Sequence, residues 1–144
     1  MGGRNVDDEL RRDVVVDILK KDEHRLGCSG KMLKLSRASV EALVKKIPQG
    51  MVMTTTSIRE TLAKKHNAQV TCPFLTKRAL MAIAQDSKTT APLWRVIMAN
   101  GEMIAAYPGG RTEQARRLKN EGVMVSGGLG RYKVIHFRDV QPRF

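Results

Sequence analysis

The sequence predicts a mainly α-helical fold with a small β-hairpin as a wing, organised around a helix-turn-helix. Three stretches predict it: a helical repeat over 57–67, a second over 72–83, and the Asn100-Gly101 dipeptide inside 96–104.

In the first stretch Ser57 is placed to cap a helix, because its hydroxyl can accept from backbone amides that lack an intrahelical partner. Ile58, Leu62 and Ala63 then recur at helical spacing with Arg59, Lys64 and Lys65 on the other faces. Asn67 suits the helix end, since asparagine tolerates left-handed dihedrals. Thr71 or Cys72 opens the second helix and Pro73 takes its first position, where a missing amide hydrogen costs nothing. Phe74, Leu75, Ala79, Leu80, Ala82 and Ile83 give it a wide apolar face, and Thr76, Lys77 and Arg78 lie near its exposed start. A helix, a short turn and a helix with polar and basic residues early is the pattern of a helix-turn-helix reader of nucleic acid. Helix pairs buried in ordinary cores share this spacing, which by itself leaves both readings open.

Residues 5–23 carry Val6, Leu10, Val14, Ile18 and Leu19 at rough helical spacing and are read as an amphipathic helix, against which stands the β-branched run 14–16. Gly27, Ser29 and Gly30 mark a linker. The chain is accordingly divided into an N-terminal segment, 1–30, and a main domain, 31–144. That segment packs onto the body, covers its basic surface, or moves freely. A further helix covers 36–47 through Val40, Leu43, Val44 and Ile47, and ends at 48–50. Residues 96–104 read as a hairpin, since Asn-Gly is the strongest short turn signal. Residues 107–110 form a tight loop, Thr112 caps a helix carrying Gln114, Ala115 and Leu118, and Gly122 stops it. Gly127, Gly128 and Gly130 read as a flexible loop, and 131–137 alternates as a strand does.

The net charge of +12 over 144 residues is unevenly placed. The first 25 residues hold seven acids and six bases, and the remainder holds seven acids against 20 bases. A body this basic attracts polyanions and releases counterions from nucleic acid on binding. No apolar run is long enough to cross a bilayer and no secretory signal opens the chain, so the sequence is read as cytoplasmic, nucleoid-associated and without a membrane partner. Cys28 and Cys72 form no disulfide scaffold, and the spacing of the cysteines and histidines matches no zinc pattern, so neither metal nor cofactor is expected. No paired carboxylates, nucleophilic triad or nucleotide-binding fingerprint is visible. Cys72, at a helix start near Lys77 and Arg78, is the one candidate nucleophile, although no histidine is close in sequence to serve as its base.

From residue 47 onward the chain resembles the DNA-binding domain of the alkylguanine-DNA alkyltransferases. Ile47-Pro48-Gln49-Gly50 matches the family's Ile-Pro-x-Gly, and Arg78-Ala79-Leu80 its Arg-Ala-Val. Pro92-Leu93-Trp94-Arg95-Val96 stands at its Pro-Cys-His-Arg-Val, Asn100-Gly101 at its turn, and Tyr107-Pro108-Gly109-Gly110 at its Tyr-Ser-Gly-Gly. Glu121-Gly122 closes the pattern, whose order holds over 47–122. The departures matter most. Leu93 occupies the nucleophile's place and Trp94 that of its activating histidine, and neither a leucine nor an indole can do that chemistry. The resemblance is therefore closest to the alkyltransferase-like branch that lacks the cysteine, including small bacterial proteins with Pro-x-Trp-Arg. It implies a fold like the alkyltransferase C-terminal domain and a protein that binds duplex DNA, alkylated or otherwise damaged, without transferring an alkyl group.

The resemblance further implies DNA contacts from Thr54, Thr55, Thr76, Lys77, Arg78 and Arg95, with Arg78 entering the stack where a nucleotide has rotated out. The extruded base would meet a pocket lined by Leu93, Trp94, Tyr107, Pro108 and Gly109. The family's phosphate-rotating tyrosine falls near Thr54–Thr56, and Pro108 lacks the hydroxyl the family uses to bind the base. Repair proteins are the implied downstream partners. The alternative is a plain winged-helix module for DNA or RNA, without lesion recognition.

Overall fold

A computed structural model describes residues 9–144. Val6 and its neighbours, part of the helix expected over 5–23, lie outside the described residues. Glu9 is helical, but from Leu10 to Leu19 the chain is not. Val14–Asp17 form strand β1, followed by a 3-10 turn at Lys20–Asp22 and the single-turn helix α1, Glu23–Leu26. Three consecutive valines favour extended backbone, and a partner is at hand. β1 pairs antiparallel with β2, Lys31–Lys34, through Val15 opposite Leu33.

The boundary expected at residue 30 thus falls between two paired strands. The N-terminal segment also packs onto the body: Leu10 is buried, and its carbonyl accepts from the Arg37 amide at 2.9 Å. The Asp13 carboxylate accepts from the Ser36 amide at 2.6 Å and from the Ser39 hydroxyl. Burial alone would raise the pKa of Asp13, but the hydrogen bonds from Ser39 and Ser36 outweigh it and hold the group below the ordinary aspartate value.

Helix α2, Arg37–Lys45, is capped by Ser36. Strand β3, Met53–Thr54, leads into α3, Thr55–Lys65. The cap of α3 is Thr54 rather than Ser57. The Thr54 hydroxyl accepts from the Ser57 amide at 3.0 Å, so Ser57 is the third helical residue and supplies the donor. Asn67 takes a left-handed φ of 54°, as expected of it, and ends the turn. Strand β4, Val70–Thr71, pairs in parallel with β2, and α4 follows at Pro73–Gln85 with Pro73 in its first turn. The Cys72 amide donates to the Leu33 carbonyl at 2.8 Å, so the start of α4 is tied to the N-terminal sheet.

A 3-10 turn at Leu93–Arg95 precedes β5, Val96–Ile97, which runs parallel to β3. The chain reverses at Asn100-Gly101, where the Met98 amide donates to the Glu102 carbonyl at 2.8 Å. Only an isolated bridge, Ile97 to Met103, follows, so the hairpin expected over 96–104 is a tight turn. Helix α5, Gly110–Asn120, starts ahead of Thr112, with Gly109 as its left-handed cap at φ 90°. The extended hairpin lies later: β6, Val125–Gly128, pairs antiparallel with β7, Arg131–Val134. Leu129 and Gly130 both take positive φ, as a two-residue hairpin turn requires. The glycines at 127 and 128, read as loop, are strand, and the strand expected to reach residue 137 stops at Val134, before a 3-10 turn at Phe137–Val140.

Two adjoining apolar clusters form the core. One joins α2, α3 and α4 to Leu93, Ile104 and Tyr107, the other joins α5 to Ile97, Met103 and Val134, and Trp94 packs against both.

Candidate nucleic-acid interface

Helix α4 turns Leu75, Ala79, Leu80 and Ile83 inward and leaves Phe74, Lys77 and Arg78 exposed. Beside it opens a groove of about 590 Å³. Pro73, Thr76, Lys77 and Leu80 border it at three- and four-residue steps, which place them on one helical stripe. Thr55 and Arg59 of α3 form an adjoining wall, and Met98, Glu102, Met103 and Arg111 close the far side. Three cations against one carboxylate, over a largely apolar floor, suit an anionic ligand that carries an aromatic ring.

The motif around Trp94 is built differently. The Glu121 carboxylate accepts from Trp94 Nε1 at 2.8 Å, from Arg95 Nη2 at 2.7 Å and Nε at 3.0 Å, and from the Gly50 amide at 3.2 Å. Arg95 Nη1 also reaches the Ile47 carbonyl at 2.7 Å. Burial pushes the Glu121 pKa upward, but the hydrogen bonds from Arg95, Trp94 and Gly50 win and hold it below the ordinary glutamate value. The Arg117 guanidinium lies 4.8 Å above the Trp94 ring. Nothing here can act as a base toward a nucleophile, because the indole only donates and the carboxylate is engaged by an arginine. Gln114, fully buried, completes the scaffold: it donates to the Trp94 and Val96 carbonyls at 3.2 and 2.7 Å and accepts from the Ile104 amide at 3.0 Å.

Several residues expected at the interface are committed elsewhere. Thr54 is 4% exposed, caps α3, and donates its amide to Gln141 at 3.2 Å. Thr76 is 1% exposed, and its hydroxyl donates to the Cys72 carbonyl at 2.9 Å, so it borders the groove without offering a free donor. The Arg95 side chain is 14% exposed and belongs to Glu121. Lys77 and Arg78 are free to meet a ligand, and Thr55 is partly so.

The five expected pocket residues do not converge on one cavity. Leu93 and Tyr107 are 3% and 8% exposed, because they pack into the core with Ile104. Burial also raises the Tyr107 hydroxyl pKa. Trp94 faces Glu121, while Pro108 and Gly109 are exposed. Arg59, Met98, Glu102 and Arg111 border the open groove and were not anticipated. Arg59 reads as the polar side of a helix and Arg111 as the residue after two glycines, and neither position signals a shared wall. Among the described residues, no three His, Cys, Asp or Glu side chains gather as a metal site would need, and no helix is long and apolar enough to cross a membrane.

Residues 36–123 match the family model for the 6-O-methylguanine DNA methyltransferase DNA-binding domain. The chain belongs to this family. Its helix-turn-helix, groove and Trp94–Glu121 cluster all lie in the family domain, whereas β1, β2 and the β6–β7 hairpin lie outside the matched residues. The fold, with five helices and small sheets among the described residues, is similar to that of S. pombe Atl1 in a complex with damaged DNA containing O6-carboxymethylguanine. Identity there is 25%, the TM-score is 0.56, and the match covers 74% of this chain and 94% of that one. A second S. pombe ATL structure, in complex with DNA, gives the same figures. Among curated proteins, a bifunctional methyltransferase/endonuclease of Picrophilus torridus is 29% identical over 104 residues, 70% of this chain. The chain spans about a third of the length of that relative, as the match covers 32% of it.

Proposed function

We propose that this family member is a non-catalytic, alkyltransferase-like protein that binds duplex DNA and accepts a rotated-out, alkylated base without taking its alkyl group. The observation that carries this reading is the open, cation-lined groove beside the exposed Lys77 and Arg78, in a DNA-binding family domain with Leu93 and Trp94 at the family's cysteine and histidine. The fold acts as a winged helix, with β6–β7 as the wing. Arg131 and Lys133 on that hairpin add to the cationic field, and no acid occurs between Glu121 and Asp139.

Helix α4 docks on the duplex, Arg78 enters the stack, and the rotated base enters the groove between α4 and the turn at Asn100-Gly101. Unstacking costs a few kcal/mol, and least for a damaged base, which supplies selectivity. Arg59, Lys77 and Arg111 face the adjoining phosphates, and Met98 and Met103 offer a soft apolar surface to the base. Repair proteins that act on the marked site are the downstream partners.

A second reading, a plain winged-helix module, is favoured by one observation: Leu93 and Tyr107 fill the place where the resemblance puts a pocket. Binding to duplexes with and without O6-methylguanine, at about 50 and 200 mM salt, separates the two. The proposal expects about a tenfold preference for the lesion, equal to about 1.4 kcal/mol, at both salt concentrations. Equal affinities that fall steeply with salt support the plain module. The intact mass of the protein is expected to stay unchanged after incubation with alkylated DNA. A mass gain lost in Cys72→Ala would show transfer to that cysteine and overturn the non-catalytic reading.

A further inference from the structure

Phe74 is 56% exposed on the first turn of α4, and no packing in the fold requires a phenyl ring there. Single exposed apolar side chains are ordinary on a protein surface. This one differs in its neighbour. The Arg78 guanidinium lies 5.4 Å from the centre of the Phe74 ring, one helical turn along, where i and i+4 side chains meet. Pro73, Thr76, Lys77 and Leu80 face the groove, so Phe74 and Arg78 stand on the adjoining stripe of the helix.

We propose that Phe74 and Arg78 act as one two-part wedge, with the phenyl ring stacking on the base left unpaired when its partner is rotated out. This rests on the DNA-binding reading above. The division of labour follows from chemistry. The guanidinium fills the vacated stack and keeps hydrogen-bond donors for base edges and phosphates. The phenyl ring offers no hydrogen bond, but gives the orphaned base an apolar π-face in place of water. Proteins that unstack duplexes use apolar wedges in this way, and base stacking on aromatic side chains is tolerant of sequence. In the free protein the cation–π contact holds the arginine against the ring, so the wedge is partly ordered before DNA arrives.

The test measures affinity for a duplex holding O6-methylguanine, with 2-aminopurine as the opposing base. Phe74→Ala is expected to weaken lesion binding about tenfold, within the range measured for lost base stacking. It should also brighten the 2-aminopurine, which loses its stacking partner. Phe74→Leu keeps apolar bulk without the π-face and should fall between wild type and Phe74→Ala. The exposure of Phe74 means that neither variant should shift the melting temperature. If wild type prefers the lesion and Phe74→Ala matches it in affinity and fluorescence, the wedge is overturned and the DNA-binding reading stands. If wild type shows no preference for the lesion, the base-rotating reading falls and takes the wedge with it.

Discussion

Replacing Glu121 with alanine is expected to lower stability by about 3 kcal/mol, the scale for removing one partner of a buried ion pair. The side chains of Arg95 and Glu121 are 14% and 12% exposed, so water screens them little. Without the carboxylate, the Arg95 guanidinium keeps the Ile47 carbonyl as its one hydrogen-bond acceptor and its place over the Trp94 ring, and the Trp94 and Gly50 N–H groups lose their acceptor. For a domain of this size, about 3 kcal/mol corresponds to a fall in melting temperature of about 10 °C. Glu121→Gln keeps an acceptor for Trp94 but loses the charge, and should fall between wild type and Glu121→Ala.

The pH dependence has a definite sign. The folded state holds the Glu121 pKa below its ordinary value of 4.5, so its contribution is present above that value. The contribution is lost as the pH falls below 4.5 through the folded pKa. Denaturant midpoints taken across this acid range should fall more steeply for wild type than for Glu121→Gln. Parallel curves, or a melting temperature for Glu121→Ala within about 2 °C of wild type, would show that the cluster holds little of the fold together.

Replacing Arg78 with alanine is expected to abolish most of the preference for alkylated over undamaged duplex, about a tenfold effect, while affinity for undamaged DNA falls only a few-fold. The guanidinium is exposed, so truncation opens no cavity and leaves no buried donor. Loss of a stack-filling group penalises the complex in which a base has left the stack, and leaves the undistorted complex nearly untouched. A phosphate contact would behave otherwise: both duplexes would weaken alike and the salt slope would drop by about one. Affinities of wild type and Arg78→Ala for the two duplexes at several salt concentrations tell the two apart.

The elements that were legible in the sequence are those set by short-range rules. The Pro73 helix start, the Asn67 and Gly122 stops and the Asn100-Gly101 reversal each follow from a few neighbouring residues. The misreadings also have local causes. Three threonines precede Ser57 and the first of them is the cap, which moves it by three positions, and the valine run that opposed a helix is a strand because β2 is there to pair with it. Lys77 and Arg78, expected near the exposed start of the second helix, are exposed on α4. The identity of the groove walls was not legible, since Arg59, Glu102 and Arg111 come from three separate segments.

By itself, the sequence determined the four helices from Ser36 onward and the basic field, because side-chain type, spacing and charge are fixed residue by residue. Only the tertiary structure decided that Leu93 and Tyr107 are core, that Glu121 gathers Trp94 and Arg95, and that the N-terminal sheet ties down the start of α4. Those outcomes depend on which distant segments meet and exclude water, and pairing across tens of residues leaves no mark in the spacing of either partner.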